Sequence, residues 1–539
     1  MASRRSLLDD NDVLNVYGPG QLVAFSAIDG KTDYDHDLVA RTAGEGAGLV
    51  VKAPGTCRLH FGTEARETRL AGDFFHIRTE RGETRGAMLD AFHLLVEGPC
   101  DVSNETEGLA IEQQDGRTLV AAAAKLDGQK LTADLDAAIA ARREWLDGQI
   151  LPTWVEGDSI PTAVKAMSVM KTQVCSGQGM LKHRWTTPDR WPHKDMWLWD
   201  SAFHAIGWRH ADPGLAREMI SAVLDAQGDD GMVSHRANPH HRSGITQPPV
   251  LALAAMLIDQ VDPDEEWLRE VFPKLQTYVR WDIENRGGSD GGLLRWHTNP
   301  QKNNRCDESG MDNSTRFEFD EPLEAVDFNS LLALECEVLG HMSHALADRQ
   351  AAAEWTERYL DITDRINERL WDEEAGIYMD RLAESGRRTG VLASAGFLPL
   401  VCGAAGPQQA QRLAEHLQNP ETFGTPVGVP SIAACDSEHY SKDMWRGPVW
   451  INLNWLIAMG FERSSLDDVA ADLRRRTCRE IERRYMECGS IFEFYDDRGQ
   501  VPPPALPRKG TNDPTKAYNQ VIFDYGWSCT LYLDMIMRR

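Results

Sequence analysis

Two acidic side chains stand in settings that could support proton transfer. Asp312 lies in Ser309-Gly310-Met311-Asp312-Asn313-Ser314, a carboxylate beside a flexible glycine and between small polar side chains. The same company suits an aspartate that closes a turn or caps a helix, so the motif alone leaves both readings open. Glu493 lies in Ile491-Phe492-Glu493-Phe494-Tyr495-Asp496. A carboxylate walled by Phe and Tyr must be desolvated, hydrogen-bonded or functional; the alternative is a strand whose Glu493 faces water. Aromatic and polar residues cluster nearby in sequence. Trp197-Leu198-Trp199-Asp200 sets flat apolar faces next to an acceptor, an arrangement matched to the C–H face and hydroxyls of a sugar ring. A core Trp with Asp200 as a helix cap is the plainer reading. Trp445-Arg446-Gly447-Pro448-Val449-Trp450 repeats that composition, and Tyr525-Gly526-Trp527-Ser528 follows. The run Ser234–Arg242 holds three histidines but lacks HExxH spacing and a cysteine partner, so a polar loop is expected there and no metal.

Five long connections carry most of these residues: 181–199, 228–246, 285–322, 418–446 and 487–515. Loops of that length in compact domains are usually functional. Between and around them run twelve apolar-periodic segments, near 160–178, 200–210, 213–227, 247–261, 264–284, 323–345, 349–371, 390–403, 407–417, 447–461, 465–486 and 516–537. Pro213, Pro407 and the Pro248-Pro249 pair after Gln247 are placed at helix starts, where a missing N–H costs nothing. Twelve helices make six antiparallel hairpins, and six hairpins can close into a ring. The expected fold is therefore mainly α, an (α/α)6 barrel with loops gathered at one end. An open solenoid would show a repeat of about 30–45 residues, and none is present.

All 16 Trp lie at or after Trp145. Ahead of them, short apolar stretches (Ala47–Val51, Cys57–Phe61, Phe74–Arg78, Phe92–Val96) broken by Gly, Asn and Asp predict a β-sandwich. The expected domains are a sandwich over 1–130, a helical linker over 131–157 and the barrel over 158–539.

The composition, 42% hydrophobic and 26% charged over 539 residues, is that of a soluble globular chain and excludes disordered and collagen-like classes. A formal charge of −26 argues against nucleic acid as a partner, since displacing phosphate counterions needs clustered positive charge. It argues equally against an anionic membrane. The ten cysteines are scattered without a CxxC pair and read as reduced core residues. At the N-terminus Leu7 and Leu8 run straight into Asp9 and Asp10, which is unlike a leader, and the expected compartment is cytoplasmic.

Together these motifs make the sequence resemble glycoside hydrolase family 63, which includes bacterial α-glucosidases, mannosylglycerate and glucosylglycerate hydrolases, and the eukaryotic processing α-glucosidase. The resemblance is carried by WLWDSAFHAIG (197–207), GMVSH (231–235), QPPV (247–250), ESGMDNSTRFE (308–318), WRGPVWINLNW (445–455), FEFYD (492–496) and YGWS (525–528). It implies a six-hairpin barrel, inversion of the anomeric configuration, Asp312 as general acid and Glu493 as general base. Matching positions place Trp197, Trp199, Asp200, Gln247, Trp445, Arg446, Trp450 and Trp527 around the sugar, and Gly310, beside the acid, is counted with them. In an inverting pair one carboxyl keeps its proton for the departing oxygen, and the other activates water on the opposite face.

The first expectation is an exo-acting α-glucosidase working on a short α-glucoside, with a small carbohydrate as partner and no cofactor or metal. A glucosylglycerate or mannosylglycerate hydrolase, or a trehalase-like enzyme, is the alternative, and a non-catalytic carbohydrate-binding protein the more distant one. A glycerate substrate would require a cation for its carboxylate, for which Arg184, Arg190, Lys194, His240, His241 and Arg242 are candidates.

Overall fold

The computed structural model describes residues 16–103, 106–288, 292–299, 302, 305–513 and 515–538. The stretch read above for a leader (1–15) lies outside them, as do 289–291, 300–301 and 303–304 of the 285–322 connection.

Eleven strands form the N-terminal part: β1 (Leu22–Ala24), β2 (Val39–Thr42), β3 (Ala47–Ala53), β4 (Cys57–Gly62), β5 (Glu67–Leu70), β6 (Phe74–Thr79), β7 (Gly82–Asp90), β8 (His93–Glu97), β9 (Asp101–Ser103), β10 (Leu109–Gln114) and β11 (Arg117–Ala122). They make two antiparallel sheets, ordered β1-β2-β3-β4-β9 and β10-β11-β8-β7-β6-β5. The period-two pattern is plain in β4, where Cys57, Leu59 and Phe61 point inward while Arg58 and His60 face solvent. Leu49, Leu59 and Phe61 of one sheet share a core with Phe75, Ile77, Leu94 and Val120 of the other. Phe61 stacks on Phe75 at 5.5 Å. The expected apolar stretches thus fall on strands β3, β4, β6 and β8.

Twelve α-helices follow among the described residues: α1 (Leu135–Asp147), α2 (Ser159–Thr172), α3 (Leu198–Trp208), α4 (Pro213–Asp225), α5 (Leu251–Asp259), α6 (Glu265–Arg286), α7 (Val326–Ala345), α8 (Arg349–Leu370), α9 (Pro407–Gln418), α10 (Ile451–Arg463), α11 (Asp467–Cys488) and α12 (Gly526–Met537). Helix starts follow local chemistry. The side chains of Asp212, Asp264 and Asp348 accept from Leu215 N, Trp267 N and Ala351 N, and Pro213 and Pro407 sit at first positions. α1 occupies the expected connector. Among the segments that start later than expected, α5 begins at Leu251 and α10 at Ile451, each shortly after prolines (Pro248-Pro249 and Pro448) that disfavour helix in the residue before them. The 390–403 segment is a 3-10 helix, Ser394–Leu400, interrupted by Pro399. The last helix starts at Gly526 instead of near 516.

The chain gathers into two compact units. One comprises the residues up to Met196 with Ile481–Glu493 and Ile522 onward, and the other Trp197–Glu480 with Phe494–Val521. This grouping does not follow the boundaries drawn at 130/131 and 157/158. In the first unit α2 packs on α12, and the buried Asp524 carboxylate accepts from Lys165 of α2 at 2.7 Å, from Leu22 N at 2.7 Å and from Ser490 Oγ at 2.7 Å. Periodicity marks those elements but says nothing of one buried carboxylate joining them. In the second unit α3 packs on α4 and α5, α5 on α7, and α7 on α8.

All ten cysteines are free thiols, and of these Cys435 is the exposed one. No described helix is long and apolar enough to cross a membrane.

Candidate active site

Within the second unit, Asp312 is half-buried in a turn that follows a 3-10 turn at Asp307–Ser309. Gly310 makes that turn at φ +68°, and a β-carbon there would overlap the Trp199 indole. The position therefore needs glycine twice, for its backbone angle and for the close approach. Gly310→Ala is expected to lower stability by about 1–3 kcal/mol and displace Asp312; a thermal melt within a degree of wild type, with unchanged turnover, would contradict this.

Three further residues lock the turn. Asn313 Oδ1 accepts from Trp445 N at 3.0 Å, its Nδ2 donates to Asp443 Oδ2 at 3.0 Å, and its carbonyl accepts from Arg446 Nε at 2.9 Å. Asp443 Oδ2 also accepts from Gly510 N at 2.9 Å, while its Oδ1 is buried without a hydrogen-bond partner. Burial pushes the Asp443 carboxyl above its usual range. Arg316, fully buried, is gripped by Asp327 at 2.9 Å and Asp380 at 2.7 Å. Four of the long connections thus meet at the Asp312 turn or next to it: Thr246 N donates to Glu308 at 3.4 Å, Asn313 bonds Asp443, and Gly510 bonds Asp443 in turn. Lys509 Nζ stands 3.6 Å from Asp312 Oδ2.

The sugar-binding expectations divide. Gln247 is buried, and its Oε1 accepts from Trp199 N at 3.2 Å while its carbonyl accepts from Tyr278 Oη at 2.9 Å. Asp200 is buried in the first turn of α3, where a carboxylate suits the positive end of the helix; it is not the N-cap, which is Trp197. Arg446 donates to Glu318 at 2.5 Å. Trp445 and Trp450 lie face to face, 3.7 Å apart and 3° from parallel, and Trp199 approaches Trp445 at 6.1 Å. Each is at most 2% exposed, so the three form a buried ladder and not an open platform. Trp197 is only half-buried, with the Arg236 guanidinium 5.9 Å over its ring. The start of α3 is held by His235, whose carbonyl accepts from Leu198 N at 3.0 Å. Burial lowers the His235 imidazole to about 4, so it is neutral.

Behind Gln247, the N–H groups of Ala252 and Leu253, the second and third residues of α5, donate at 2.8 Å to the buried Glu335 carboxyl. Desolvation raises this carboxyl from 4.5 to about 7. Below about pH 4.5 folded and unfolded forms both hold the proton. As pH rises through the window between 4.5 and 7 the unfolded chain releases it first, so Glu335 costs the fold a growing penalty that levels off at about 3 kcal/mol. Glu335→Gln is expected to flatten the fall in urea-measured stability between pH 5 and 8. Parallel curves for the two proteins would rule this out.

In the first unit Glu493 is 2% exposed, which removes the reading of a solvent-facing strand residue. Its backbone pairs with Ile522 (Glu493 N to Ile522 O, 3.0 Å), and Oε2 accepts from Ile522 N at 3.4 Å. Trp527 is buried and meets Tyr525 edge-on at 4.9 Å. Of the cations considered for a glycerate carboxylate, Arg190 is buried on Asp37 at 2.8 Å and Lys194 lies over Tyr34 at 4.3 Å. In the second unit Arg242 binds the Gln227 carbonyl at 2.8 Å, and His240 and His241 are exposed. Asn313, Asp443 and Lys509 escaped the sequence reading. Asn313 sits inside the SGMDNS motif and was legible there, whereas Asp443 and Lys509 belong to no recognised motif. No three described His, Cys, Asp or Glu side chains cluster as metal ligands.

Comparison with known proteins places the chain in a family. Residues 192–502, more than half the chain, match the mannosylglycerate hydrolase MGH1-like glycoside hydrolase domain. The chain belongs to this glycoside hydrolase family. A member from Thermus thermophilus, a mannosylglycerate hydrolase, is 29% identical over 401 residues, 58% of this chain and 91% of its own. The glucosylglycerate hydrolase of Mycolicibacterium hassiacum is 26% identical over 57% of this chain and 87% of its own. The crystal structure of a GH63 mannosylglycerate hydrolase from Thermus thermophilus in complex with Tris and D-glycerate superposes with a TM-score of 0.56 at 26% identity, covering 69% of this chain and 99% of that one. Neutral trehalase of Saccharomyces cerevisiae, at 17% identity and a TM-score of 0.54, shares the fold. The resemblance to family 63 therefore stands, and the chain is a glycoside hydrolase. The family match includes Asp312 and Glu493; Lys509 and the Tyr525–Ser528 motif lie beyond it.

Proposed function

We propose that this glycoside hydrolase releases one hexose, with inversion, from an α-glycoside whose aglycone is a small hydroxy acid of the glycerate type. The observation that carries the reading is the meeting of four loops around the half-buried carboxyl of Asp312. The relatives named for mannosylglycerate and glucosylglycerate support this over the short α-glucoside first expected.

In this reading Asp312 protonates the glycosidic oxygen and Glu493 takes a proton from the attacking water, the division of labour of inverting pairs. Gln247, Asp200, Arg446 and the half-buried Trp197 hold the sugar; Gly310, Trp199, Trp445, Trp450 and Trp527 shape the walls. The scaffold proposed is an (α/α)6 barrel over 158–539, preceded in sequence by the β-sandwich, in a cytoplasmic setting that suits ten unpaired thiols. Burial of Glu493 supports its role, because a carboxyl carried into an apolar setting must have a use or a partner.

The test is hydrolysis of glucosylglycerate, mannosylglycerate, kojibiose, nigerose, maltose and trehalose, with the product anomer followed by NMR. The glycerate glycosides should be turned over best and release the β-anomer first. Preference for a neutral disaccharide, or initial release of the α-anomer, would refute the proposal.

A further inference from the structure

Lys509 sits at a position that ordinarily selects against lysine. Arg508 N donates to the Thr511 carbonyl at 2.7 Å, closing a two-residue turn whose central residues, Lys509 and Gly510, both have positive φ, 57° and 84°. Turns of this kind favour Asn, Asp or Gly at the first central position, and a residue with a β-carbon held there costs about 1–2 kcal/mol. Strain of that sort persists where the surroundings over-determine it, and they do so here. Arg508 Nη1 donates to the Tyr518 carbonyl at 2.6 Å, Asn519 Nδ2 to the Arg508 carbonyl at 3.3 Å, and Gly510 N to Asp443 at 2.9 Å. The fixed backbone of the turn thus carries the Lys509 ammonium toward Asp312, and both side chains keep access to solvent, 24% and 22% exposed.

As a mere ion pair this arrangement works against the chemistry. A cation beside a carboxyl favours its ionised form, which serves poorly a group that must hand over a proton. The conflict disappears when a second anion shares the ammonium. In a glycoside of a 2-hydroxy acid the carboxyl carbon is two bonds from the glycosidic oxygen. A donor within hydrogen-bonding reach of that oxygen, as a general acid must be, brings the substrate carboxylate to the neighbourhood that Lys509 occupies.

We infer that Lys509 is the specificity-determining residue for the aglycone, binding the carboxylate of a 2-hydroxy-acid glycoside next to Asp312. The inference deepens the proposed function and rests on it. Lys509 lies beyond the 192–502 stretch that the domain family matches.

The test compares two substrates with the same sugar and linkage, the α-glycosyl derivatives of glycerate and of glycerol, which differ only in carboxylate against hydroxymethyl. The glucosyl or the mannosyl pair is used, whichever the wild type turns over. In Lys509→Gln the ratio of kcat/KM for the charged over the neutral substrate should fall about tenfold to a hundredfold, the range for one charge-assisted hydrogen bond. Lys509→Gly, which also relieves the backbone, should show the same fall, and Lys509→Arg should keep most of the ratio. The inhibition constant of D-glycerate should rise in the Gln and Gly variants, a readout that does not need turnover. An unchanged ratio in Lys509→Gln, or equal losses on both substrates, overturns the inference while leaving the glycerate reading intact. A wild-type ratio near one overturns the glycerate reading itself, and the inference with it.

Discussion

Asp312→Asn is expected to lower kcat by about 10²–10⁴-fold, the range for losing a positioned general acid, while the protein melts as the wild type does. The amide keeps the size of the carboxyl at a half-buried position but has no acidic proton for the leaving oxygen. Glu493→Gln should lose a similar factor for the opposite reason, since it can no longer take a proton from water. The two roles separate on a substrate with an activated leaving group, such as a glycosyl fluoride, whose departure needs little protonation. Activity should return substantially in the Asp312 variant and stay lost in the Glu493 variant. Near-normal turnover of a natural substrate by either purified variant would strike that residue from its role.

Arg316→Ala is the substitution expected to cost most in stability, about 3–5 kcal/mol. The guanidinium is buried with its Nη1 and Nη2 on Asp327, at 2.9 Å each, and its Nε and Nη2 on Asp380, at 2.7 and 2.8 Å. Its removal strands two buried carboxylates that already accept from Trp296 Nε1 and Val326 N. Lysine should rescue little, because a single ammonium cannot make both bidentate contacts. The triple variant Arg316→Met, Asp327→Asn, Asp380→Asn should recover part of the loss by removing the charges together. Urea denaturation measures all three, and a cost below about 1 kcal/mol for Arg316→Ala would mean that the cluster relaxes or admits water.

Legibility followed the range of the forces involved. Local signals located well: apolar periodicity, joined by the first-position Pro213 and Pro407, puts α4, α6, α8 and α9 within a few residues, and the apolar stretch Cys57–Phe61 marks β4. The Pro248-Pro249 pair, suited by type to a first helical turn, instead precedes α5, and α5 and α10 each begin about four residues after the start that periodicity predicts. Asp312 and Glu493 stood out by composition, but their burial did not. The indoles of Trp199, Trp445 and Trp450 promised open faces, and the structure turns those of Trp445 and Trp450 onto each other. Asp443 and Lys509 were invisible because their meaning is wholly tertiary. One is an acceptor for groups far apart in sequence, and the other is a cation whose importance depends on what a turn points it toward. The compact grouping around Asp524 was hidden for the same reason.

The uneven accessibility of the thiols has a practical outcome. Cys435 lies on the 418–446 connection, the same loop that carries Asp443 and Trp445, and it is the exposed one of the ten. Its acidity is weakened by partial burial and by the neighbouring Asp436, so alkylation should be slow at neutral pH and quicker in mild alkali. A maleimide fluorophore should then attach to the unmutated protein first at this place, ahead of the half-buried Cys100, Cys478 and Cys488, and its emission would report from that loop while ligand is titrated.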